Sequence, residues 1–424
     1  MDGLIRMDAD KTGGVGWLLR PASWPVRAAA AAVLVAAVLE VYRRSHSGGM
    51  DNAFVVRAAR SFLDGGSPYA DKRFLYLPSA VLAAVPEALL PDRVLRAVVP
   101  VGVAGLVLGG WWCSLRIFGV WAGSRLAVLG AGGLAYFAPF RNLLLLGNWT
   151  AVSVAALPLA LLLVVRARWV AAGAVIGAAV AVKPMLVPFA LLFVFAGRWR
   201  ALAVAVAIPA AGSVAAALAI PHPGYFFTRT VPFLLRGQDP FAGLYDASLG
   251  AVLPRLGVPR GLALAFAMAV AAVGVWCAWR RWRRADDTPM RVVETGTMLM
   301  LSAFLVSRPS FDHYVLVVLL PLLASVVVPG SAARTPWFWI ALVPQIPVID
   351  WPYVTPLTRR AFKDAAMFCG LAAVLAWRCA VPVRPVRLRR ASPAGPPLCP
   401  QEPDGLTSRP QTPGGLEKTG PPGP

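Results

Sequence analysis

The chain has 424 residues, 58% of them hydrophobic and only 14% charged, and a formal net charge of +21. Soluble domains average about 45–50% apolar and about 25% charged residues, so an ordinary soluble fold is excluded. The excess of base does not indicate nucleic acid, because the arginines fall in short clusters between apolar runs, a pattern that sets membrane orientation and meets anionic lipid.

Apolar runs recur from residue 24 to residue 381, which defines an all-α polytopic membrane protein. Residues 1–23 read as a cytoplasmic N-terminal segment without a cleavable leader. Spans are expected near 24–42, 94–118, 125–140, 148–165, 169–184, 185–197, 201–220, 261–279, 290–308, 313–328, 335–353 and 361–381. That makes about twelve crossings in a transmembrane domain over 24–381, several of them below the roughly 20 residues of a full crossing. Outer loops are expected at 43–93 and 221–260. Phe74–Leu90 is apolar but short, and it holds Pro78, Pro86 and Glu87, so it reads as a re-entrant or surface segment packed against protein. A crossing there would throw the later clusters Arg116 and Arg125, Arg166 and Arg168, Arg198 and Arg200, and Arg280–Arg284 to the outside, against the positive-inside rule. Residues 382–424 are rich in Pro and Gly and read as a disordered cytoplasmic tail.

The first outer loop opens on Gly48-Gly49-Met50-Asp51-Asn52. Phe54, Val55, Ala58, Ala59, Phe62 and Leu63 then recur at helical spacing, with Arg57, Arg60 and Asp64 opposite, as in a helix lying along a membrane surface. Asp51 is either a helix cap or a carboxylate held just outside the bilayer for chemistry. On this topology Arg141, Asn142 and Asn148, then Lys183, then Arg229 in the 221–260 loop, then Arg308, Asp312 and His313 share its side of the membrane. Outward basic residues break the orientation rule and call for a local anion; Lys183 could equally snorkel to the interface, and His313 could form a surface pair with Asp312. Phe226-Phe227 reads as an interfacial anchor. His46 and Glu87 read as structural. The five cysteines have no metal-ligand spacing and read as packing residues.

Several short stretches, in order, resemble glycosyltransferase family 87: Gly65-Gly66-Ser67-Pro68-Tyr69 after Asp51, Phe74-Leu75-Tyr76-Leu77-Pro78, Gly147-Asn148, Val182-Lys183-Pro184, and Ser307-Arg308-Pro309-Ser310-Phe311-Asp312-His313-Tyr314. The similarity runs over most of 24–381. Lys183-Pro184 through Leu202, and Phe226 to Thr230 with Pro232, look closest to the arabinofuranosyl-transferring members, whereas His313 looks more like the mannosyl-transferring ones. The resemblance implies a GT-C architecture and an inverting transfer of arabinofuranose or mannose from a polyprenyl-phosphate donor to a glycan or glycolipid acceptor, on the extracytoplasmic face of the plasma membrane. In that frame Asp51 is the general base. Lys183, His313 and Arg308 meet the donor phosphate, and Arg229, Asn148 and Tyr76 bind substrate. No nucleotide-sugar motif or metal-ligand cluster is visible, so no cofactor or metal is expected. The rival class is a transporter or flippase of a polyprenyl-phosphate-linked lipid, which would use the same basic residues without chemistry.

Overall fold

The computed structural model describes residues 14–45, 47–236, 243–284, 287–346 and 356–380. Most of the expected N-terminal segment, His46 and the expected tail 382–424 lie outside the described residues. Among those described the regular structure is helical, and no strand is present. A short helix α1 (Gly14–Leu19) precedes α2 (Trp24–Arg44), α3 (Met50–Leu63), α4 (Pro78–Ala88), α5 (Asp92–Ile117), α6 (Arg125–Leu134) and α7 (Ala138–Leu146). There follow α8 (Thr150–Val165), α9 (Trp169–Val182), α10 (Ala190–Phe195), α11 (Trp199–Ala219), α12 (Val231–Arg236) and α13 (Leu249–Arg255). The last are α14 (Arg260–Trp282), α15 (Thr288–Val306), α16 (Val315–Ala324), α17 (Pro336–Leu342) and α18 (Pro356–Ala380).

Among the described residues five helices, α2, α5, α11, α14 and α15, have 19 to 26 residues and are long and apolar enough to cross a membrane; at 1.5 Å per residue about 20 residues match a bilayer core. α6 and α7, bent by 60°, would make a sixth if counted together. Pro139 contributes to that bend, since it supplies no N–H to the first turn of α7. Other apolar helices are shorter: α8, α9, the 3₁₀ stretch Pro184–Phe189 with α10, and Asp312–Val327. The break after α9 has a local cause. Pro184 disfavours helical backbone at Lys183, which is extended (φ −148°, ψ 119°).

Small residues set the packing. A Cβ on Gly173 would strike the Ala201 carbonyl, and one on Gly177 would stand 3.1 Å from the Ala205 carbonyl, so α9 and α11 run side by side in the same sense at close range. α4 has only 11 residues, about 16 Å of helix, too short to cross. Its Ser79 hydroxyl donates to the Ala181 carbonyl at 2.6 Å, which ties it to the end of α9. The apolar face expected for α3 is not left to lipid alone: Val55, Ala58 and Ala59 are buried in one cluster with Ala80, Val81 and Ala84 of α4, while Leu63 is exposed. Arg60 reaches across to the Ala88 and Leu90 carbonyls and to Asp92, each at 3.0–3.1 Å. The reason is that α4 itself folds back onto α3.

The two ends of the bundle differ. At one end the start of α3, the start of α8, the Lys183 break and Tyr314 come together. At the other, Glu294 of α15 is buried between Arg281 of α14 and Arg378 of α18. There Arg198 stands over Trp169, Arg291 over Trp282, and the two tryptophans meet edge to face at 6.2 Å. A buried carboxylate with two arginine partners becomes costly when the carboxylate is removed, because two cations lose their counter-charge. Glu294→Ala is therefore expected to destabilise the detergent-purified protein by about 3–5 kcal/mol, read as a lowered thermal unfolding midpoint.

Candidate functional site

The site begins with two backbone segments packed on one another. Gly48 and Gly49, just before α3, have φ of +80° and +114°; Gly147, just after α7, has φ +59°. A Cβ on Gly49 would lie 2.5 Å from the Leu146 carbonyl, and one on Gly147 would collide with the Gly48 carbonyl oxygen. Only glycine fits these positions. This clasp sets Asp51, in the first turn of α3, opposite Asn148. Beside it Asn52, fully buried, accepts a hydrogen bond from Trp149 Nε1 at 3.0 Å.

Asn148 Nδ2 donates to Asp51 Oδ2 at 2.5 Å. Asn148 Oδ1 accepts from Lys183 Nζ at 2.6 Å and from the Thr150 backbone N–H at 2.8 Å. Lys183 Nζ also donates to Thr150 Oγ1 at 2.8 Å, and it lies 5.8 Å from the Tyr76 ring centroid and 5.4 Å from that of Tyr314. Asp51 does not cap α3: the N-cap is Gly49 and no side-chain cap bond is made. Burial draws the Lys183 ammonium down from the usual lysine range to about 8, with the Asp51 charge opposing the fall. Burial, and then the Asp51 charge, push the Tyr76 phenol well up, so it stays neutral.

Of the residues expected at the site, Asp51, Asn148, Lys183 and Tyr76 meet; His313, Arg308 and Arg229 have other partners, and His313 reaches the group only through the Tyr314 ring, 5.1 Å away. His313 is buried against Asp312, whose Oδ1 accepts from the His313 backbone N–H at 2.8 Å and lies 3.2 Å from Nδ1. Asp312 Oδ2 is held by Asn142 Nδ2 and by Arg360 at 3.1 Å. Arg308 pairs with Asp246 at 3.2 Å, so its charge already has a partner. Arg229 lies over the Tyr225 ring at 3.9 Å. The side chain from 312–314 that faces Lys183 is Tyr314, because successive residues of that 3₁₀ turn point about 120° apart. Sequence reasoning missed Thr150 and Arg360, and it gave no role to Asn142, which it placed on Asp51's side of the membrane, or to Tyr314, which it quoted only within the 307–314 stretch. For Arg360 a signal existed, since an arginine near a helix start opposes the helix dipole and asks for a nearby carboxylate. Gln238 and Asp239 of the expected outer loop lie outside the described residues.

The arrangement offers a carboxylate with Oδ1 making no hydrogen bond among the described residues, and a desolvated ammonium with no direct carboxylate partner. Among the described residues no group of three or more His, Cys, Asp or Glu could hold a metal ion. The clasp can be tested through stability. Gly65 also has positive φ (+77°) but open space around it, so Gly65→Ala is expected to cost about 1–2 kcal/mol. Gly147→Ala adds the collision with Gly48, about 1–3 kcal/mol more, and the two thermal midpoints should differ accordingly.

Comparison with known proteins bears on this geometry. Residues 74–307 match the model of glycosyltransferase family 87. The chain is 28% identical over 361 residues to an α-(1→3)-arabinofuranosyltransferase of Mycobacterium tuberculosis (strains CDC 1551 and H37Rv), covering 79% of this chain and 78% of the relative. It is 27% identical over 183 residues to an enzyme of the same name from Mycolicibacterium smegmatis, covering 42% of this chain and 41% of that one. No solved structure matches. With its apolar helical bundle and a family match over more than half its length, the chain belongs to glycosyltransferase family 87 and is a membrane glycosyltransferase.

Proposed function

We propose that this enzyme moves arabinofuranose from a polyprenyl-phosphate donor to a cell-envelope glycan acceptor, with inversion, on the extracytoplasmic face of the plasma membrane. The observation that carries the reading is the pairing of Asp51 and Lys183 across Asn148 at one end of the bundle. The names of the similar mycobacterial enzymes support the sugar. Membership of a transferase family removes the ground for a transporter or flippase.

Asp51 takes the proton from an acceptor hydroxyl as that oxygen attacks the anomeric carbon. The new C–O bond forms on the face opposite the phosphate, the C–O bond to phosphate breaks, and polyprenyl phosphate leaves with the electron pair. Lys183 meets the charge that builds on the departing oxygen, in a site dry enough for that to matter. Tyr76 and Tyr314 flank the ammonium. A phosphate leaving group needs no general acid, and one displacement needs no second carboxylate. His313 and Arg308 serve the donor phosphate only if it spans from Lys183 towards Tyr314 and beyond; Arg229 is left to the acceptor or the donor chain.

The topology belongs to the same proposal: about twelve crossings, with α8, α9, the 184–195 segment, α16 and α17 as short ones inside protein. Return of the chain at Lys183 supports it, since Arg198 comes back beside Trp169, where α9 began. Arginines gathered at the end away from Asp51 support a cytoplasmic placement of that end.

Membranes given labelled polyprenyl-phosphate arabinofuranose or mannose and an arabinan acceptor should show transfer from the arabinosyl donor, reduced at least about 10²-fold in Asp51→Asn. Mannosyl transfer alone would overturn the sugar, and no transfer from either donor would overturn the donor class. Because the reaction uses the charged form of Lys183, kcat/KM should fall as pH rises through about 8. Lys183→Gln should lose about 10²–10³-fold and abolish that alkaline limb.

A further inference from the structure

We infer that Asn148 is a positioning residue, a neutral spacer that keeps the Asp51 carboxylate and the Lys183 ammonium from collapsing into a direct ion pair. The inference rests on the reading of Asp51 as base and Lys183 as phosphate partner, and it reassigns Asn148, which the family resemblance placed against substrate.

Asn148 is only 4% exposed, and both ends of its amide are in use. Its amide nitrogen serves Asp51; its oxygen serves Lys183 and the Thr150 backbone. The chemistry of the two neighbours dictates this orientation: a carboxylate can only accept and an ammonium can only donate. An amide is the neutral group that offers a donor to one and an acceptor to the other over the span of a single side chain. A carboxylate at 148 would repel Asp51 and capture Lys183. A hydrocarbon would satisfy neither.

Without such a spacer the outcome is a contact pair. Opposite charges about 4 Å apart attract by about 4 kcal/mol even at an effective dielectric of 20, and Lys183 has no other counter-ion in the group. A carboxylate in direct contact with an ammonium is a poorer base, and the ammonium so paired is a poorer partner for a leaving phosphate. Asn148 can resist that pull because it is itself fixed. Gly147 is clasped against Gly48 and Gly49, Trp149 is tied to Asn52, and Thr150 closes the turn by donating to Oδ1. Thr150 Oγ1 takes a further proton of Lys183 and holds the ammonium on its own side.

The test compares purified full-length enzyme in lipid nanodiscs with Asn148→Leu, Asn148→Asp and Asp51→Asn, using polyprenyl-phosphate arabinofuranose and an arabinan acceptor. Asn148→Leu is expected to lower kcat about 10²-fold, with donor KM changed less than about threefold. Its alkaline limb should move up by about one pH unit, because Lys183 gains a direct carboxylate partner. Asn148→Asp, nearly isosteric, replaces the spacer by a carboxylate that pairs with Lys183 directly; it should lower kcat to a similar extent with the limb raised, and it keeps the test open if the leucine variant does not fold. A rise in KM with kcat intact would mean that Asn148 binds substrate, and a lowered melting point with an unmoved limb would mean a merely structural part; either overturns the inference. Transfer surviving in Asp51→Asn would remove the underlying reading of the base. Transfer lost in Asp51→Asn but unchanged in both Asn148 variants would remove this inference alone.

Discussion

Lys183 is half-buried with no carboxylate in contact, and an ammonium partly stripped of water in that position has to be answered by neutral groups. Here the Asn148 oxygen, the Thr150 hydroxyl and two tyrosine rings answer it. They come from three different parts of the chain. Lys183 is presented by the proline-enforced break after α9, Asn148 and Thr150 by the turn into α8, Tyr76 by the segment before α4, and Tyr314 by the turn before α16. The four elements that converge on one cation are therefore held to one another through it. The same convergence places Asp51 one amide away.

The rest of the bundle serves that meeting point. Close glycine contacts bring α9 against α11, and α4 hangs from the end of α9 through Ser79. At the far end Glu294 gathers Arg281 and Arg378, so the arginines that a membrane protein keeps on one side double as ties between α14, α15 and α18. Aromatic rings link the site to the 221–236 segment: Phe226 packs on Tyr69, Tyr69 on Phe74, Phe74 on Tyr76, each pair with centroids 5.4 Å apart. That continuity gives the segment bearing Arg229 a mechanical connection to the ring over Lys183.

In this chain Asp51 is followed by Asn52. The two neighbouring side chains take different directions. Consecutive helical residues point about 100° apart, and Asn52 turns into the protein, where its oxygen holds Trp149. Only Asp51 faces Asn148 and Lys183. An acid at 52 would sit in the fully buried position now taken by an amide.

Much of this was legible in the amino-acid order. Apolar run length determined an all-helical membrane protein, because a bilayer requires about 20 apolar residues in a self-satisfied helix. Lys183-Pro184, Gly147-Asn148 and Asp51 stood out because a charge or a paired glycine at the edge of an apolar run needs a cause. What the order of residues could not decide was direction. Whether His313 or Tyr314 faces Lys183 depends on the phase of one 3₁₀ turn. Whether Arg308 is free depends on Asp246 arriving from 62 residues away. Whether Asn148 looks towards a substrate or inward depends on a glycine clasp between segments about a hundred positions apart in the chain. Side-chain direction and long-range pairing are properties of packing, and only the tertiary structure holds them.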